Sequence, residues 1–308
     1  MNDQLRSIHS REPFRERHDV RQFNAMIAWL ALQATISCNE MMRILLPTDF
    51  SDGSMIAIRS AMAMYGTGEA EIILFHTVHF GSTEPSLPSF VDEMMANARR
   101  DLLDFEKKCR GTEPPSTVRI TTVVGRGILE VAIDQLARER HVDVVVMGAR
   151  GQGGALRWGS NTEAVVKRCH TPVIVVPQEW KQAPLKRILY ADDRYEVKRR
   201  RSVEAMLDLA RRHSAGIAMV YVRRDTGDPL PVSELALNTE WFEGIKVSQN
   251  TLAGDNVVES LGQLAESGDW GMMAVLHRHL DVVEAIFHRS VAKRLALHSS
   301  VPLLVMQE

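Results

Sequence analysis

Residues 142–163 read VDVVVMGARGQGGALRWGSNTE, and this stretch decides the fold class. It opens with a short apolar run that is typical of a fully buried strand and closes with a helical pattern. Between the two, five glycines fall within the twelve residues 148–159. Glycines at the end of a strand and before a helix let backbone N–H groups approach an anion closely. Glycine-rich connections are also simply tight turns, so both interpretations are open at this point.

Strand and helix patterns alternate on both sides of this stretch. Apolar strand patterns occupy 43–49, 71–78 and 117–125, and helical patterns occupy 51–66, about 89–111 and 128–140. After the glycines, a helical pattern at 161–170 leads to a fifth strand at 171–177. This alternation predicts an α/β fold: a five-stranded parallel sheet with right-handed crossovers and helices on both faces.

The pattern then repeats. KRILYADD at 186–193 matches MRILLPTD at 42–49, and HSSVPLLVM at 298–306 closes the second copy as CHTPVIVVP at 169–177 closes the first. Strand patterns at 216–222, 244–254 and 271–276, and a helix at 256–267, lie between them. The repeat predicts two tandem domains, at 41–178 and 186–308, joined by a linker at 179–185 where Pro and polar residues break the pattern.

Residues 1–40 differ from the rest of the chain. Residues 1–22 are polar and rich in arginine, and the apolar run FNAMIAWLALQATISC follows at 23–38. The run is shorter than the ~20 residues of a membrane-spanning helix and lacks a typical signal-peptide cleavage site. We expect either an extra helix that docks on the body or a partner, or a translation start at Met41 or Met42.

Composition narrows the classes of partner. The 37 basic and 39 acidic residues leave a net charge of −2, which gives no global attraction to nucleic acid or to an anionic membrane. The three cysteines, Cys38, Cys109 and Cys169, are far apart and form neither a disulfide framework nor a CxxC metal site. This cysteine usage is typical of a reducing cytoplasm.

Two loops carry the candidate chemistry, because ligands of open parallel sheets bind beyond the carboxyl ends of the strands. Asp49 follows the first strand and either binds a ribose hydroxyl or a phosphate-bound metal ion, or only starts the next helix. Ser160 is predicted to be the N-cap of the helix after the glycines, with Glu163 completing a capping box. The Ser160 hydroxyl then caps the helix, contacts a phosphate, or does each in turn.

These residues resemble the universal stress protein family. The resemblance covers 42–308 as a tandem pair and rests on ILLPTDFSDGS at 44–54, on VVVMGARGQGG, GSNTEAVVKR and TPVIVVP in the first copy, and on a weaker echo in the second. It implies a Rossmann-like fold similar to that of adenine nucleotide alpha hydrolases. It also implies an ATP site built on a Gly-x2-Gly-x9-Gly-Ser/Thr loop.

The resemblance implies which residues bind ATP. Carried over one by one, they are Asp49, Thr77, Gly125, Met147, Gly148, Gly151, Gly159, Ser160 and Asn161. Mg²⁺ is expected to accompany the nucleotide. One departure stands out, because seven residues separate Gly151 from Gly159, two fewer than in the family pattern.

The second copy lacks this loop. No glycine occurs between Met272 and Glu308, although Asp193 and Ser290 remain as counterparts of Asp49 and Ser160. A basic cluster stands there instead and either binds another anion or serves no ligand; its members are His277, His279, His288 and Arg289. The short apolar fifth strands, PVIVVP and VPLLVM, are expected to pair across an interface between the two domains, or between two chains.

The expected function is that of a cytoplasmic stress-response protein that binds ATP in its first domain and acts through conformation or an unidentified protein partner. Rapid hydrolysis is not expected, because the sequence offers no clear general base and no P-loop lysine. The alternative is a tandem scaffold or interaction module that binds no nucleotide. A nucleotide-hydrolysing enzyme of related fold is disfavoured, because PTDFSDGS replaces the Ser-Gly-Gly-x-Asp-Ser loop after the first strand.

Overall fold

A computed structural model of the chain describes residues 41–66, 69–80, 88–111, 118–149, 159–223, 239–277 and 301–308. The extension at 1–40, the central part of the glycine-rich loop and the segment at 278–300 lie outside the described residues. The interpretations of residues 1–40 therefore stay predictions. Within the described ranges, no helix is long and apolar enough to cross a lipid bilayer.

Residues 41–178, which we call the first half, alternate between strand and helix as predicted. The strands are β1 Met42–Pro47, β2 Ala70–Val78, β3 Val118–Arg126, β4 Val144–Gly148 and β5 Val173–Val176. The helices are α1 Asp52–Tyr65, α2 Pro88–Arg110, α3 Leu129–Glu139 and α4 Ser160–Arg168.

Residues 186–308, which we call the second half, follow a similar order. The strands are β6 Arg187–Ala191, β7 Gly216–Arg223, β8 Val247–Ala253, β9 Met272–His277 and β10 Leu303–Gln307. The described helices are α5 Glu204–Arg212 and α6 Val257–Ser267, with short 3-10 turns at Arg200–Ser202 and Thr239–Phe242.

The ten strands of the described residues belong to one sheet, in the order β3-β2-β1-β4-β5-β10-β9-β6-β7-β8. The pairs are parallel except at the centre, where β5 and β10 run antiparallel with Ile174 opposite Leu304. The expected pairing of the two fifth strands is therefore present within a single chain. Because β5 is buried along its whole length, the pairing covers an apolar edge that would otherwise face water.

The two faces of the sheet carry separate cores, because alternate residues of a strand point to opposite faces. Ile44 of β1 packs on the face covered by α1, together with Ala57 of that helix. Leu45 packs on the opposite face with Ile133 of α3 and Val165 of α4. Helices on both faces of a mostly parallel sheet confirm the predicted fold class.

The segment at 179–185 packs against the body of the protein. Trp180 is 8% exposed, and Leu185 just before β6 is 6% exposed. Both belong to the core cluster that contains Ile44. The connection between the halves is therefore anchored by burial of apolar side chains rather than loosely tethered.

Two cysteines lie in these cores as free thiols. Cys109 of α2 and Cys169 after α4 are both buried. Burial raises the pKa of each thiol to about 11. Both thiols are therefore protonated at neutral pH, as is usual for structural cysteines. Cys38 lies outside the described residues.

Candidate functional site

The strand order creates a switch point between β1 and β4. The chain leaves β1 towards β2 and β3 on one side, then crosses back to β4 on the other side. The connections after β1 and β4 therefore diverge to opposite faces: α1 packs on one face and α4 on the other. Such a divergence leaves a crevice at the carboxyl ends of the two strands, where ligands of open α/β sheets bind.

Asp49 lies at this crevice directly after β1. Its Oδ1 accepts hydrogen bonds from the N–H of Ser51 at 3.1 Å, from Ser51 Oγ at 2.5 Å and from Ser54 Oγ at 2.9 Å. Ser51, not Asp49, is the N-cap of α1, and its Oγ accepts the N–H of Ser54 at 3.3 Å. Asp49 therefore positions Ser51 at the start of α1, and its role towards a ligand stays a prediction.

The residue after Asp49 adopts a left-handed conformation. Phe50 has φ 65°, a region that bulky side chains rarely occupy. Its ring stacks on His76 of β2, with centroids 4.5 Å apart, and meets Phe105 of α2 edge-on at 5.7 Å. His76 Nδ1 lies 2.8 Å from the carbonyl oxygen of Thr48 and so donates to it. These contacts hold the loop in a strained shape, as is common at functional sites.

The start of α4 differs from the prediction for Ser160. The N-cap is Gly159, which has an extended backbone with φ −77° and ψ 153° and whose carbonyl accepts the N–H of Glu163 at 3.2 Å. Ser160 is the first helical residue, so the predicted N-cap role is wrong and the capping box with Glu163 does not form. The cause is that the N–H of Gly159 bonds the carbonyl of Ala149 at 2.8 Å, which keeps Gly159 extended beside β4. The Glu163 carboxylate instead binds Lys167 Nζ at 2.9 Å.

A glycine N-cap leaves the first turn of α4 without a side-chain acceptor at that position. Ser160 and Asn161 are exposed there. The first N–H groups of a helix have no partner within the helix and carry the positive end of its dipole. The turn therefore presents N–H donors at the carboxyl edge of the sheet.

Thr162 anchors this turn to β4, although the sequence analysis did not single it out. It is 2% exposed, and its Oγ1 donates towards the carbonyls of Gly148 at 3.2 Å and Ala149 at 3.4 Å. The signal in the sequence was weak, because a threonine within a helix usually needs no special partner. Ser54, whose hydroxyl donates to Asp49, was also not singled out, because a serine within a helix usually needs no special partner.

Thr77 and Gly125 lie opposite each other on β2 and β3. A Cβ on Gly125 would stand 2.7 Å from the ring of Phe75, so a glycine is needed there for packing. Both residues are partly exposed at the carboxyl end of their strands. Met147 is 6% exposed, and its side chain belongs to the core beneath the sheet. Gly151 lies outside the described residues, so its role stays a prediction.

The second half has larger side chains at the corresponding positions. The pairings Ile44 with Val144 and Ile188 with Met272 place Leu276 where the first half has Gly148. The same comparison of β2–β3 with β7–β8 places Leu252 where the first half has Gly125. Arg194, with φ 62°, takes the place of Phe50 and lies over the ring of Tyr221 at 5.1 Å. Of the predicted basic cluster only His277 lies among the described residues.

The fold and this site define a class: an α/β protein of the Rossmann-like kind, with its candidate site at a switch point of the sheet. Residues 41–177 match the model of the Universal stress protein family. The first half of the chain therefore carries a universal stress protein domain, as the resemblance of its motifs implied.

Individual relatives agree with this assignment. The chain is 29% identical to Universal stress protein MJ0531 of Methanocaldococcus jannaschii over 147 residues, which are 46% of this chain and 84% of that protein. It is 23% identical to Universal stress protein MJ0577 of the same organism over 154 residues, 44% of this chain and 95% of that protein. A solved universal stress protein from Archaeoglobus fulgidus DSM 4304 shares the fold, with a TM-score of 0.64 and 19% identity over 86% of this chain and 96% of its own.

Proposed function

We propose that this universal stress protein binds ATP at the switch point between β1 and β4 and acts in a cytoplasmic stress response through conformation or partners. The domain division belongs to the proposal: 41–178 is the nucleotide-binding domain, 179–185 the linker and 186–308 a second domain that has lost the site. The observation that carries the proposal is the start of α4, where a glycine N-cap leaves backbone N–H donors at the carboxyl edge.

The residues present fit an adenine nucleotide. The N–H groups of the first α4 turn, with the exposed Ser160 and Asn161, suit the phosphates, because helix N-termini bind anions. Gly148 and Gly151 let the backbone approach the same phosphates. Asp49 suits a ribose hydroxyl or a Mg²⁺ ion on the phosphates. Thr77 and Gly125, at the ends of β2 and β3, line the place for the base.

Fast hydrolysis is not part of this proposal. A general base needs a lone pair free to take a proton from water. Oδ1 of Asp49, the acidic group next to the crevice, already accepts three hydrogen bonds from Ser51 and Ser54. In this proposal the other oxygen, Oδ2, binds a ribose hydroxyl or Mg²⁺, which leaves Asp49 no role as a general base. The nucleotide therefore serves as a bound signal, and its turnover is slow.

A substitution at Gly159 tests the site without harming the helix. Asp and Asn are among the best N-cap residues, and the extended backbone of Gly159 suits both. Gly159→Asp should keep the melting temperature of the free protein or raise it by a few degrees. It should weaken ATP binding roughly tenfold or more, about 1.4 kcal/mol, because its carboxylate occupies and repels the place of the phosphates. Isothermal titration of ATP and Mg²⁺ into the full chain measures this.

Gly159→Asn is the matched control. It supplies a cap of the same size without the charge and should lose much less affinity than Gly159→Asp. Equal affinities of wild type and Gly159→Asp for ATP would show that no phosphate lies at the start of α4.

A scaffold without a nucleotide is the second candidate. Two sequence features favour it: the loop between Gly151 and Gly159 is two residues short, and the second half has no glycine after Met272. A ligand that binds only the folded state raises the melting temperature by mass action. No rise with ATP, ADP or AMP at millimolar concentration would favour the scaffold over the nucleotide-binding protein.

A further inference from the structure

The two helices that start at the candidate site end against side chains of the second half. α1 starts next to Asp49, and α4 starts at Ser160 beside β4. The last four carbonyl groups of any helix have no donor within the helix. In both of these helices, one such carbonyl accepts a hydrogen bond from a side chain beyond residue 186.

At the end of α4 the donor is Gln307, in the last strand of the chain. Its Nε2 lies 3.3 Å from the carbonyl oxygen of Val166. The N–H of His170, four residues after Val166, would be the next helical donor, but it bonds Asp134 Oδ1 at 3.2 Å instead. The carbonyl of Val166 therefore receives no hydrogen bond from His170 and accepts one from Gln307 of the second half.

The orientation of Gln307 is fixed from its other side. Its Oε1 lies 2.8 Å from Nδ1 of His277, at the end of β9. Because Nε2 of Gln307 donates to Val166, Oε1 is the atom that faces His277, and Nδ1 of the imidazole is the donor. The contact therefore joins β9, β10 and α4 in one chain of hydrogen bonds.

At the end of α1 the donor is His213, the C-cap residue of α5. Its Nε2 lies 2.8 Å from the carbonyl oxygen of Met64. The guanidinium of Arg212 lies 5.9 Å from the ring centroid of the neighbouring Tyr65, and Asp208 holds Arg212 at 2.7 Å. Tyr65 is 1% exposed and the bond from His213 to Met64 is partly buried, so this contact is a partly buried junction between the halves.

We propose that the second half clamps α1 and α4 by their carboxyl ends, so that ATP binding at their amino ends is coupled to the junction between the halves. This inference rests on the proposed nucleotide site. Helices of 14 and 9 residues are short and stiff, spanning about 21 and 14 Å at about 1.5 Å per residue. A shift at one end is carried to the other. Gln307 and His213 are positioning residues: they set the helices and do not contact the nucleotide.

The coupling is reciprocal, because thermodynamic linkage is symmetric. If the clamp favours the nucleotide-binding arrangement, bound ATP must also stabilise the clamp. This gives the second half a role that does not require a ligand of its own.

Hydrogen–deuterium exchange of the full chain, with and without ATP and Mg²⁺, tests the coupling directly. ATP should slow exchange at residues 160–163 and also at 303–307 and 209–213. Gln307→Met keeps the side-chain length but removes both hydrogen bonds. It should abolish the slowing at 303–307 and weaken ATP binding by about fivefold or more. Gln135→Met is the matched control, because Gln135 bonds only Glu139 on the exposed side of α3 in the described structure.

The second contact has its own rescue test. His213→Leu removes the donor to Met64 and should weaken ATP binding, whereas His213→Gln places an amide N–H near the position of Nε2 and should restore it. A purely structural role would lower the melting temperature of the Leu variant and leave the affinity for ATP unchanged, which would overturn the clamp.

The outcomes separate the clamp from the proposed function. Slower exchange at 160–163 with no change in the second half overturns the clamp and leaves ATP binding in place. No change in either half overturns ATP binding and the clamp together. The clamp is supported if ATP slows exchange in both halves of the wild type and if Gln307→Met abolishes that slowing only at 303–307.

Discussion

Gly125 is a glycine because of its neighbour Phe75. The ring of Phe75 is 2% exposed and fills the space where a Cβ on Gly125 would stand, 2.7 Å from two ring carbons. The resemblance to the family implied that this position serves the ligand. The structure adds a reason that holds with or without a nucleotide: β3 passes so close to the Phe75 ring that a side chain at Gly125 would force the ring to shift.

Gly125→Ala should therefore destabilise the free protein. The added methyl overlaps the buried Phe75 ring, which must shift to admit it, and overpacking of this kind costs typically about 1–3 kcal/mol. Urea unfolding followed by tryptophan fluorescence measures the loss. Gly111→Ala is the control, because its Cβ would meet atoms no closer than 3.5 Å. Equal stability of the Gly125→Ala variant and wild type would show that Phe75 yields easily.

At this scale the sequence predicted residue types better than residue roles. Asp49 was expected after the first strand and is there, but the motif gave no sign that Ser51 and Ser54 donate three hydrogen bonds to its carboxylate. Ser160 was expected to cap α4 because Ser-x-x-Glu is a strong local pattern. In the structure the N-cap is Gly159, because its N–H bonds the carbonyl of Ala149 and keeps Gly159 out of the helix. Local patterns carry no information on such a tertiary contact.

At the scale of elements, helix α4 is fixed at both ends. Thr162 bonds its first turn to β4, and Asp134 of α3 bonds His170 just after the helix ends. The carboxylate of Asp134 binds Arg138 at 2.5 Å, the ring of His170 at 3.0 Å and the N–H of His170 at 3.2 Å. Burial alone would raise the pKa of Asp134, but the hydrogen bonds from His170 and the charge of Arg138 outweigh burial and hold the pKa below its usual value.

Asp134 should therefore stabilise the fold in a way that depends on pH. A carboxyl group whose pKa is lower in the folded state contributes stability above its unfolded pKa of about 3.9 and loses it as the pH falls through the folded value. Asp134→Asn should cost about 1.5–3 kcal/mol at pH 5 and above. Chemical denaturation at several pH values should show that difference shrinking below about pH 4.

Asp92→Asn, on the exposed side of α2, is the control for this titration. It should change stability by less than about 0.5 kcal/mol at every pH. A difference between wild type and Asp134→Asn that stays constant down to pH 2 would contradict the role given to His170 and Arg138.

The elements themselves were the most predictable part of the molecule. The apolar runs of most of the described strands were long enough to identify, because strands buried on both faces need them. The edge strand β8 shows the limit: it is exposed along nearly its whole length and was found only by matching it to the first copy. The start of α1 at Ser51 and its end at Gly66 were also predicted, because capping residues act locally.

At the scale of the whole molecule, β5 and β10 turn two repeated patterns into one sheet. Ile174 and Leu304 face each other in the antiparallel pair and are both 0% exposed. The repeat in the sequence predicted two sheets and an interface between their fifth strands. Both fifth strands belong to one chain, and Trp180 in the connection between the halves is buried. The interface between the fifth strands is therefore intramolecular. How the side chains of Gln307 and His213 reach the first half was beyond sequence reasoning, because both contacts span more than 140 residues.

Shortening a buried side chain at the centre of the sheet should therefore lower the free energy of unfolding of the whole chain. Ile174→Ala removes buried methyl groups where the halves meet and should cost about 2–5 kcal/mol. Val247→Ala at the outer edge, where Val247 is 38% exposed, should cost less than about 0.5 kcal/mol. Urea unfolding of the full chain measures both variants. Similar small losses in the two would show that the central pairing contributes little.

The most direct test of the account is a crystal structure of the full chain grown with excess ATP and Mg²⁺. We predict the phosphates at the N–H groups of Ser160 and Asn161, the ribose beside Asp49, and the base near Thr77 and Gly125. A crevice between β1 and β4 that remains empty under these conditions, or ATP bound only in the second half, would contradict the account.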